Sequence, residues 1–173
     1  MDMQGSWVVI FGMSTFTFVH VVLSLIGIGS GLVVVFAMVG AKNLAGWTAL
    51  FLATTILTSV TGFLLPSGGQ LLPSHILGIV SLVVLAVACL ALYRYRLVGP
   101  WRWLYVASAV LALYLNVFVG IVQAFQKVPA LQAVAPTQSE PPFLATQLVA
   151  LAIFIVLGVL GVKRFHAGGP AMA

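Results

Sequence analysis

Residues 14–39 read STFTFVHVVLSLIGIGSGLVVVFAMV, and this stretch decides the fold of the chain. It is 26 residues long and contains no Asp, Glu, Lys or Arg. A helix that crosses a bilayer needs about 20 predominantly apolar residues. The sequence therefore predicts a transmembrane helix here, against which the other apolar stretches are expected to pack.

One side of this predicted helix carries small and polar side chains. Ser24, Gly27 and Gly31 follow His20 at steps of four, three and four residues. Residues with that spacing share one face of a helix. Gly27 and Gly31 also form a GxxxG pair, a pattern that lets two helices approach closely. We expect this pair to be a helix-packing site, and the sequence leaves open whether the partner helix lies in the same chain or in a second copy.

The composition is that of a membrane protein. Of the 173 residues, 62% are hydrophobic and 5% are charged, and the mean hydropathy is +1.23. Soluble domains carry about 25% charged residues, so a surface this poor in charge requires lipid as its main solvent. The length accommodates one membrane domain, residues 1–173. The seven Lys and Arg residues lie near the ends of apolar stretches, which indicates orientation in the bilayer rather than nucleic-acid binding.

Five apolar stretches are long enough to cross a membrane, and Pro, Gly or charged residues separate them. The sequence thus predicts an all-α integral membrane bundle. Its five transmembrane helices are expected at residues 14–39, 46–65, 74–93, 103–125 and 143–162. Residues 1–12 are interpreted as an extension, with either Met1 or Met13 as the native start. Residues 126–142 are rich in Pro and are expected to form an irregular outer loop.

The basic residues predict the orientation of the bundle. Five spans place the two termini on opposite sides of the membrane. One set of helix ends collects six of the seven basic residues: Lys42, Arg94, Arg96, Arg102, Lys163 and Arg164. The other set holds Lys127 together with both acidic residues, Asp2 and Glu140. Because cytoplasmic loops carry the excess of Lys and Arg, we expect the N-terminus outside and the C-terminus in the cytoplasm.

His20 and His75 form the first candidate site, a cofactor-binding pair in the outer half of the membrane. Two imidazoles on facing helices of an apolar bundle are the axial ligands of a b-type haem. Gly27 and Gly78 would leave room for its flat ring. Quinone binding or proton relay would use the same histidines. In the plainer interpretation, His20 bonds a hydroxyl group on span two and His75 meets interfacial water. No other metal site is predicted, since no third ligand lies nearby in sequence.

Asn116, Gln123 and Lys127 form the second candidate site, on one stripe of span four. With the two histidines, they are expected to line a polar pocket that opens outward, where Lys127 would bind an anion or a lipid head group. Alternatively, Asn116 joins two helices and Lys127 extends to water. The Thr-rich face of span two is attributed to packing and to hydrogen bonds with helix carbonyls.

These features favour a non-enzymatic membrane component, either an accessory subunit or a small-molecule-binding protein. Asp2 and Glu140 are the only acidic side chains, which leaves no set of positioned catalytic groups. Two alternatives remain: an electron-transfer protein with b-type haem or quinone at the histidines, and a small channel or carrier. The expected partners are the lipid bilayer and either further copies of the chain or a larger membrane complex.

Several phrases of the sequence are also similar to those of known proteins. They are GWTALFLATT, TSVTGF, LYLNVFV, QAFQKVP and PTQSEPPF. Together with the spacing of the spans, they resemble a group of short, uncharacterised (hypothetical) five-span bacterial inner-membrane proteins. The resemblance implies a multi-pass protein of the bacterial cytoplasmic membrane. It transfers no activity and no functional residue.

Overall fold

The computed structural model describes residues 9–10, 13–64 and 73–166. Its helices are α1 (Thr15–Val39), α2 (Ala45–Gly62), α3 (Pro73–Cys89), α4 (Pro100–Lys127), α5 (Pro129–Val134) and α6 (Pro141–Arg164). A π-helical turn, Leu90–Arg94, extends α3. Ahead of α1, two short strands, β1 (Val9–Ile10) and β2 (Met13–Ser14), pair in antiparallel fashion, with Val9 opposite Ser14.

The described residues contain five helices that are long and apolar enough to cross a membrane. They are α1, α2, α3 with its π-helical extension, α4 and α6, and their mean hydropathies range from 1.2 to 2.8. The predicted all-helical bundle with five spans is therefore confirmed, and it is the architecture of a multi-pass membrane protein. Apart from Val9 and Ile10, the predicted extension at residues 1–12 lies outside the described residues.

The helix boundaries differ from the predicted spans mainly where proline begins a helix. Helix α4 starts at Pro100 rather than at residue 103, and α6 starts at Pro141 rather than at residue 143. Proline is favourable in the first turn because the N–H group that it lacks would have no partner there. The prolines that were interpreted as span boundaries are therefore the first residues of these two helices.

The connection at residues 126–142 is more ordered than predicted. It contains α5, which also begins at a proline, and a turn in which Glu140 accepts hydrogen bonds from the backbone N–H groups of Thr137 and Ser139, both at 3.1 Å. Ala135 is fully buried in a small apolar cluster with Phe125 and Phe143. The prediction of an irregular loop was wrong in this respect, because these apolar side chains hold the connection against the ends of α4 and α6.

Helix α4 packs against all four other spanning helices, whereas α1 packs against α2, α4 and α6. We call the end of the bundle that holds the start of α1 the His20 end. We call the opposite end, with Arg102 and Lys163, the arginine end. The apolar core fills the middle of the bundle and extends to the arginine end. Its buried members include Val35, Met38, Phe51, Leu85, Val106 and Leu113.

The GxxxG pair of α1 packs within the chain. A Cβ atom at Gly31 would lie 2.6 Å from Leu113 Cδ1 and 2.8 Å from the Phe51 ring, so the missing side chain is what admits these two residues. Gly27, one turn earlier, meets polar atoms of α2 and α4 instead. Close approach of helices through small residues is a main source of association energy in lipid, where burial of apolar surface contributes little.

At the arginine end, Arg102 binds the end of α6. Its Nη1 donates hydrogen bonds to the backbone carbonyl groups of Phe165 and, at 3.4 Å, Val162. The last carbonyl groups of a helix lack partners within the helix and carry partial negative charge. Arg102 therefore joins α4 to α6, a structural role beyond the membrane orientation that its charge predicted.

We predict that Gly31→Ala destabilises the bundle by about 1–3 kcal/mol, because the added methyl group overpacks a fully filled core. The matched control is Gly29→Ala in the same helix, since a Cβ atom there meets nothing within 4 Å. That change should be neutral or slightly stabilising, because alanine favours the helix. Unfolding in a detergent titration measures both, and equal stabilities of the two variants would contradict the packing described here.

Candidate functional site

A cavity of about 300 Å³ lies between α1, α2, α3 and α4 at the His20 end. Four helices contribute its walls, and most of the side chains are polar or small. The lining residues are His20, Ser24, Thr55, Thr58, Ser59, Gly62, Phe63, His75, Leu77, Gly78, Ser81, Leu115, Asn116, Val119 and Gln123.

The structure brings together four of the five side chains that the sequence proposed for a pocket. His20, His75, Asn116 and Gln123 all line the cavity. Lys127 does not, because it lies at the last residue of α4, where its side chain is exposed beyond Gln123. Among the residues that the structure describes, the cavity is therefore lined by polar groups without a Lys, Arg, Asp or Glu side chain.

The hydrogen bonds around Thr61 favour one tautomer of His20, the one protonated at Nδ1. His20 Nδ1 lies 2.8 Å from Thr61 Oγ1, and the Thr61 hydroxyl group lies 2.7 Å from the carbonyl oxygen of Leu57. The hydroxyl group has a single proton, which it donates to Leu57. Thr61 therefore accepts its second bond from His20 Nδ1–H. In the neutral ring this leaves Nε2 with a lone pair that can accept a hydrogen bond.

His75 is held differently, by ring stacking. It is 7% exposed, and its ring lies parallel to that of Phe63, with centroids 5.6 Å apart and an interplanar angle of 15°. The ring of Phe63 fills the space beside Gly78, since a Cβ atom there would lie 3.0 Å from Phe63 Cζ. Thus Gly78 accommodates an aromatic side chain of the protein itself, and it does not leave room for a separate flat macrocycle.

Polar atoms from α2 and α4 converge on Gly27 at the deep end of the cavity. A Cβ atom at Gly27 would lie 3.0 Å from Asn116 Nδ2 and 3.1 Å from Thr55 Oγ1. Asn116 is oriented by Ser24, whose hydroxyl group donates a 3.0 Å hydrogen bond to Asn116 Oδ1. The amide nitrogen is thereby directed away from Ser24. The space at Gly27, like that at Gly78, is occupied by side chains of this chain.

Three of these polar atoms lack a hydrogen-bond partner within the part of the chain that the structure describes. They are Asn116 Nδ2, Thr55 Oγ1 and Thr58 Oγ1, and all three are buried. Asn116 is 8% exposed and Thr55 is 2% exposed. Buried polar groups in proteins are almost always paired with protein, water or ligand. The residues that carry these atoms also line the cavity, so a molecule bound there is one source of the missing hydrogen bonds.

Thr55 and Thr58 belong to the hydroxyl-rich face of α2. From the sequence, we attributed that face to packing and to hydrogen bonds with the helix backbone. That interpretation holds for Thr54, Ser59 and Thr61, whose hydroxyl groups donate to carbonyl groups four residues earlier. Thr55 and Thr58 are the exceptions. Composition alone does not separate the two groups, because the difference lies in side-chain rotamers.

The cavity ends on the apolar core. One turn beyond Gly27, the space beside Gly31 is filled by Phe51 and Leu113, which are 0% exposed. The polar lining therefore occupies the part of the bundle nearest the His20 end. Among the described residues, the cavity is therefore closed at the end that faces the core.

Comparison with known proteins adds no assignment to the cavity. No protein-family model matches the chain, and no curated protein or solved structure matches it. Among the described residues, no group of three or more His, Cys, Asp and Glu side chains is placed to hold a metal ion. The function therefore has to be argued from the chemistry of the cavity itself.

We predict that Thr55→Val stabilises the ligand-free protein by about 1 kcal/mol, because valine has the same shape and removes a buried hydroxyl group without a partner. Thr54→Val is the matched control, since this neighbouring threonine is also buried but donates to the Leu50 carbonyl group at 2.7 Å. The control should be neutral or slightly destabilising. Detergent unfolding of the two variants checks the prediction, and a clear loss of stability in Thr55→Val would contradict it.

Proposed function

We propose that this protein is a non-enzymatic, multi-pass protein of the bacterial inner membrane that binds a small neutral molecule in the cavity at its His20 end. The observation that carries the proposal is the group of buried polar atoms on Asn116, Thr55 and Thr58 that have no hydrogen-bond partner among the described residues. An unpaired buried polar group costs about 1–3 kcal/mol. If these positions served only the stability of the fold, apolar residues would be more favourable there. Polar residues are explained if a bound molecule forms hydrogen bonds with them.

The size and chemistry of the cavity support a ligand with one ring and hydrogen-bond acceptors. A volume of about 300 Å³ is at the lower end of the range for ligand pockets. Asn116 Nδ2 and the two threonine hydroxyl groups supply donors, and His20 Nε2 supplies an acceptor. The stacked rings of Phe63 and His75 supply a flat aromatic wall. A quinone head group has a flat ring to lie against this wall and carbonyl oxygens to accept hydrogen bonds from the donors. Its reduced form has hydroxyl groups that can donate a hydrogen bond to His20 Nε2.

The same geometry gives less support to b-type haem. Two axial histidines would have to face one macrocycle, but the His75 ring lies flat against Phe63. The bond from His20 Nδ1 to Thr61 does not bear on this point, since it leaves Nε2 free. The spaces beside Gly27 and Gly78 are filled by side chains of the protein. A channel or carrier is also less well supported, since the cavity ends on Phe51 and Leu113.

The distribution of charge supports an outward-facing cavity. Six of the seven Lys and Arg residues lie at or beside the arginine end. By the positive-inside rule, that end is cytoplasmic and the His20 end faces the outside. The ligand would then enter from the outer leaflet or the periplasmic side. A role as the ligand-holding subunit of a larger membrane complex is consistent with this placement.

We predict that a benzoquinone with a short alkyl tail binds the purified protein in detergent and raises its melting temperature. Asn116→Leu and Thr55→Val should each weaken binding about fivefold to tenfold, the effect of one lost hydrogen bond in a buried site. Thr54→Val should bind as the wild type does, because Thr54 does not line the cavity. Titration calorimetry measures the affinities.

Two outcomes would contradict the quinone proposal. The first is the absence of binding to the wild-type protein, or equal affinities of Thr55→Val and Thr54→Val. The second is a Soret band with sharp reduced α and β bands in the absorption spectrum of the purified protein, lost in His20→Ala and His75→Ala. That spectrum would identify haem as the occupant instead.

We also predict the orientation from single cysteines introduced in a Cys89→Ser background. A membrane-impermeant maleimide added to intact spheroplasts should label Gln123→Cys, which is exposed at the His20 end. Lys163→Cys, exposed at the arginine end, should react only after the membrane is permeabilised. The reverse labelling pattern would contradict the proposed orientation, but it would leave the proposal of a ligand in the cavity unchanged.

A further inference from the structure

A second, chemically different depression lies on the outer surface of the bundle between α4 and α6. This α4–α6 groove has a volume of about 390 Å³, and its lining is apolar except for the side chains of Tyr114 and Lys163. Val110 and Phe154 form part of its buried floor, and the Tyr114 and Phe154 rings meet at its deep end with centroids 5.7 Å apart. The groove is independent of the cavity, with which it shares no residue.

A glycine, Gly158, forms part of the lining of the groove. A Cβ atom at Gly158 would meet only Val110 Cγ1, at 3.6 Å, which is an ordinary van der Waals distance. Close packing therefore does not require glycine here, in contrast to Gly31. A larger side chain at Gly158 would extend into the open groove. The exposed rims of the groove, including Ile155 and Val159, face the lipid that surrounds a membrane-spanning bundle.

The dimensions of the groove match one lipid chain. From Leu151 to Lys163 the groove follows α6 over thirteen residues, and the twelve steps between them span about 18 Å at 1.5 Å per residue. One leaflet of the hydrocarbon core is about 15 Å thick, half of the whole. The groove thus extends from near the middle of the membrane to its surface at the arginine end.

The charge at the mouth of the groove identifies the class of lipid. Lys163 lines the mouth, Arg164 follows it, and Arg102 lies against the same end of α6. Basic residues at the membrane surface attract anionic lipid head groups. We propose that the α4–α6 groove binds an anionic phospholipid, with one acyl chain along Val110 and Gly158 and the head group at Lys163.

The test compares phosphatidylglycerol with phosphatidylcholine, both with oleoyl chains, added to the delipidated full-length protein in detergent. Native mass spectrometry measures the bound lipid. The wild-type protein should retain more phosphatidylglycerol than phosphatidylcholine. Lys163→Gln should weaken that preference about fivefold, the contribution of one basic residue at an anionic surface. Gly158→Leu should abolish retention of both lipids, because its side chain occupies the acyl-chain path.

Matched controls separate the groove from general effects on the membrane surface. Gly29→Leu makes the same change at an exposed glycine of α1 where a Cβ atom meets nothing within 4 Å. Lys42→Gln removes a positive charge at the arginine end without touching the groove. Both should retain lipid as the wild type does. Circular dichroism verifies that Gly158→Leu is folded, and Lys163→Gln tests the proposal without altering the packing.

Three results would overturn the proposal. One is equal retention of the two lipids by the wild-type protein. Another is wild-type retention by Gly158→Leu. The third is a lipid-free dimer that Gly158→Leu converts to monomer, which would show that a second copy of the chain occupies the groove. None of these results depends on what the cavity at the His20 end binds.

Discussion

The structure depends on the close approach of α1 to α2 and α4 at two glycines one turn apart. In lipid, the burial of apolar surface contributes little to helix association, so most of the association energy has to come from close van der Waals contact between the helices. At Gly31 the space is filled by Phe51 and Leu113, and the bundle is sealed there. At Gly27 the space is filled by Asn116 and Thr55. One turn of one helix therefore separates a dry core from a polar cavity.

On the cavity side of this boundary, buried polar groups without hydrogen bonds lower the stability of the protein unless a molecule binds to them. A membrane helix can satisfy a threonine by bonding it back to a carbonyl group of its own chain, as Thr54 does. Thr55 and Thr58 do not use that option. Ser24 orients Asn116 so that its amide nitrogen is also left without a partner among the described residues. The fold thus tolerates a local penalty at the place where a ligand would remove it.

Much of the architecture follows from properties that the sequence shows directly. The length of an apolar stretch is local, so the five spans were predictable to within a few residues. Depth along a span follows from counting, which is why His20, His75 and Asn116 were expected in the outer half of the membrane. Side-chain rotamers and contacts between distant residues are not local. The unpartnered hydroxyl of Thr55 and the bond from Arg102 to the end of α6 therefore required the structure.

The charge distribution constrains the ligand further. Transferring an ion from water into a buried site costs several kcal/mol unless an opposite charge lies nearby. Within the described part of the chain, no Lys, Arg, Asp or Glu side chain lines the cavity, and most of the basic residues lie at the opposite end of the bundle. Lys127 is near the His20 end, but it is exposed beyond the lining. The side chains that remain bind through hydrogen bonds and ring contact, and such groups select a neutral molecule over an ion of the same size.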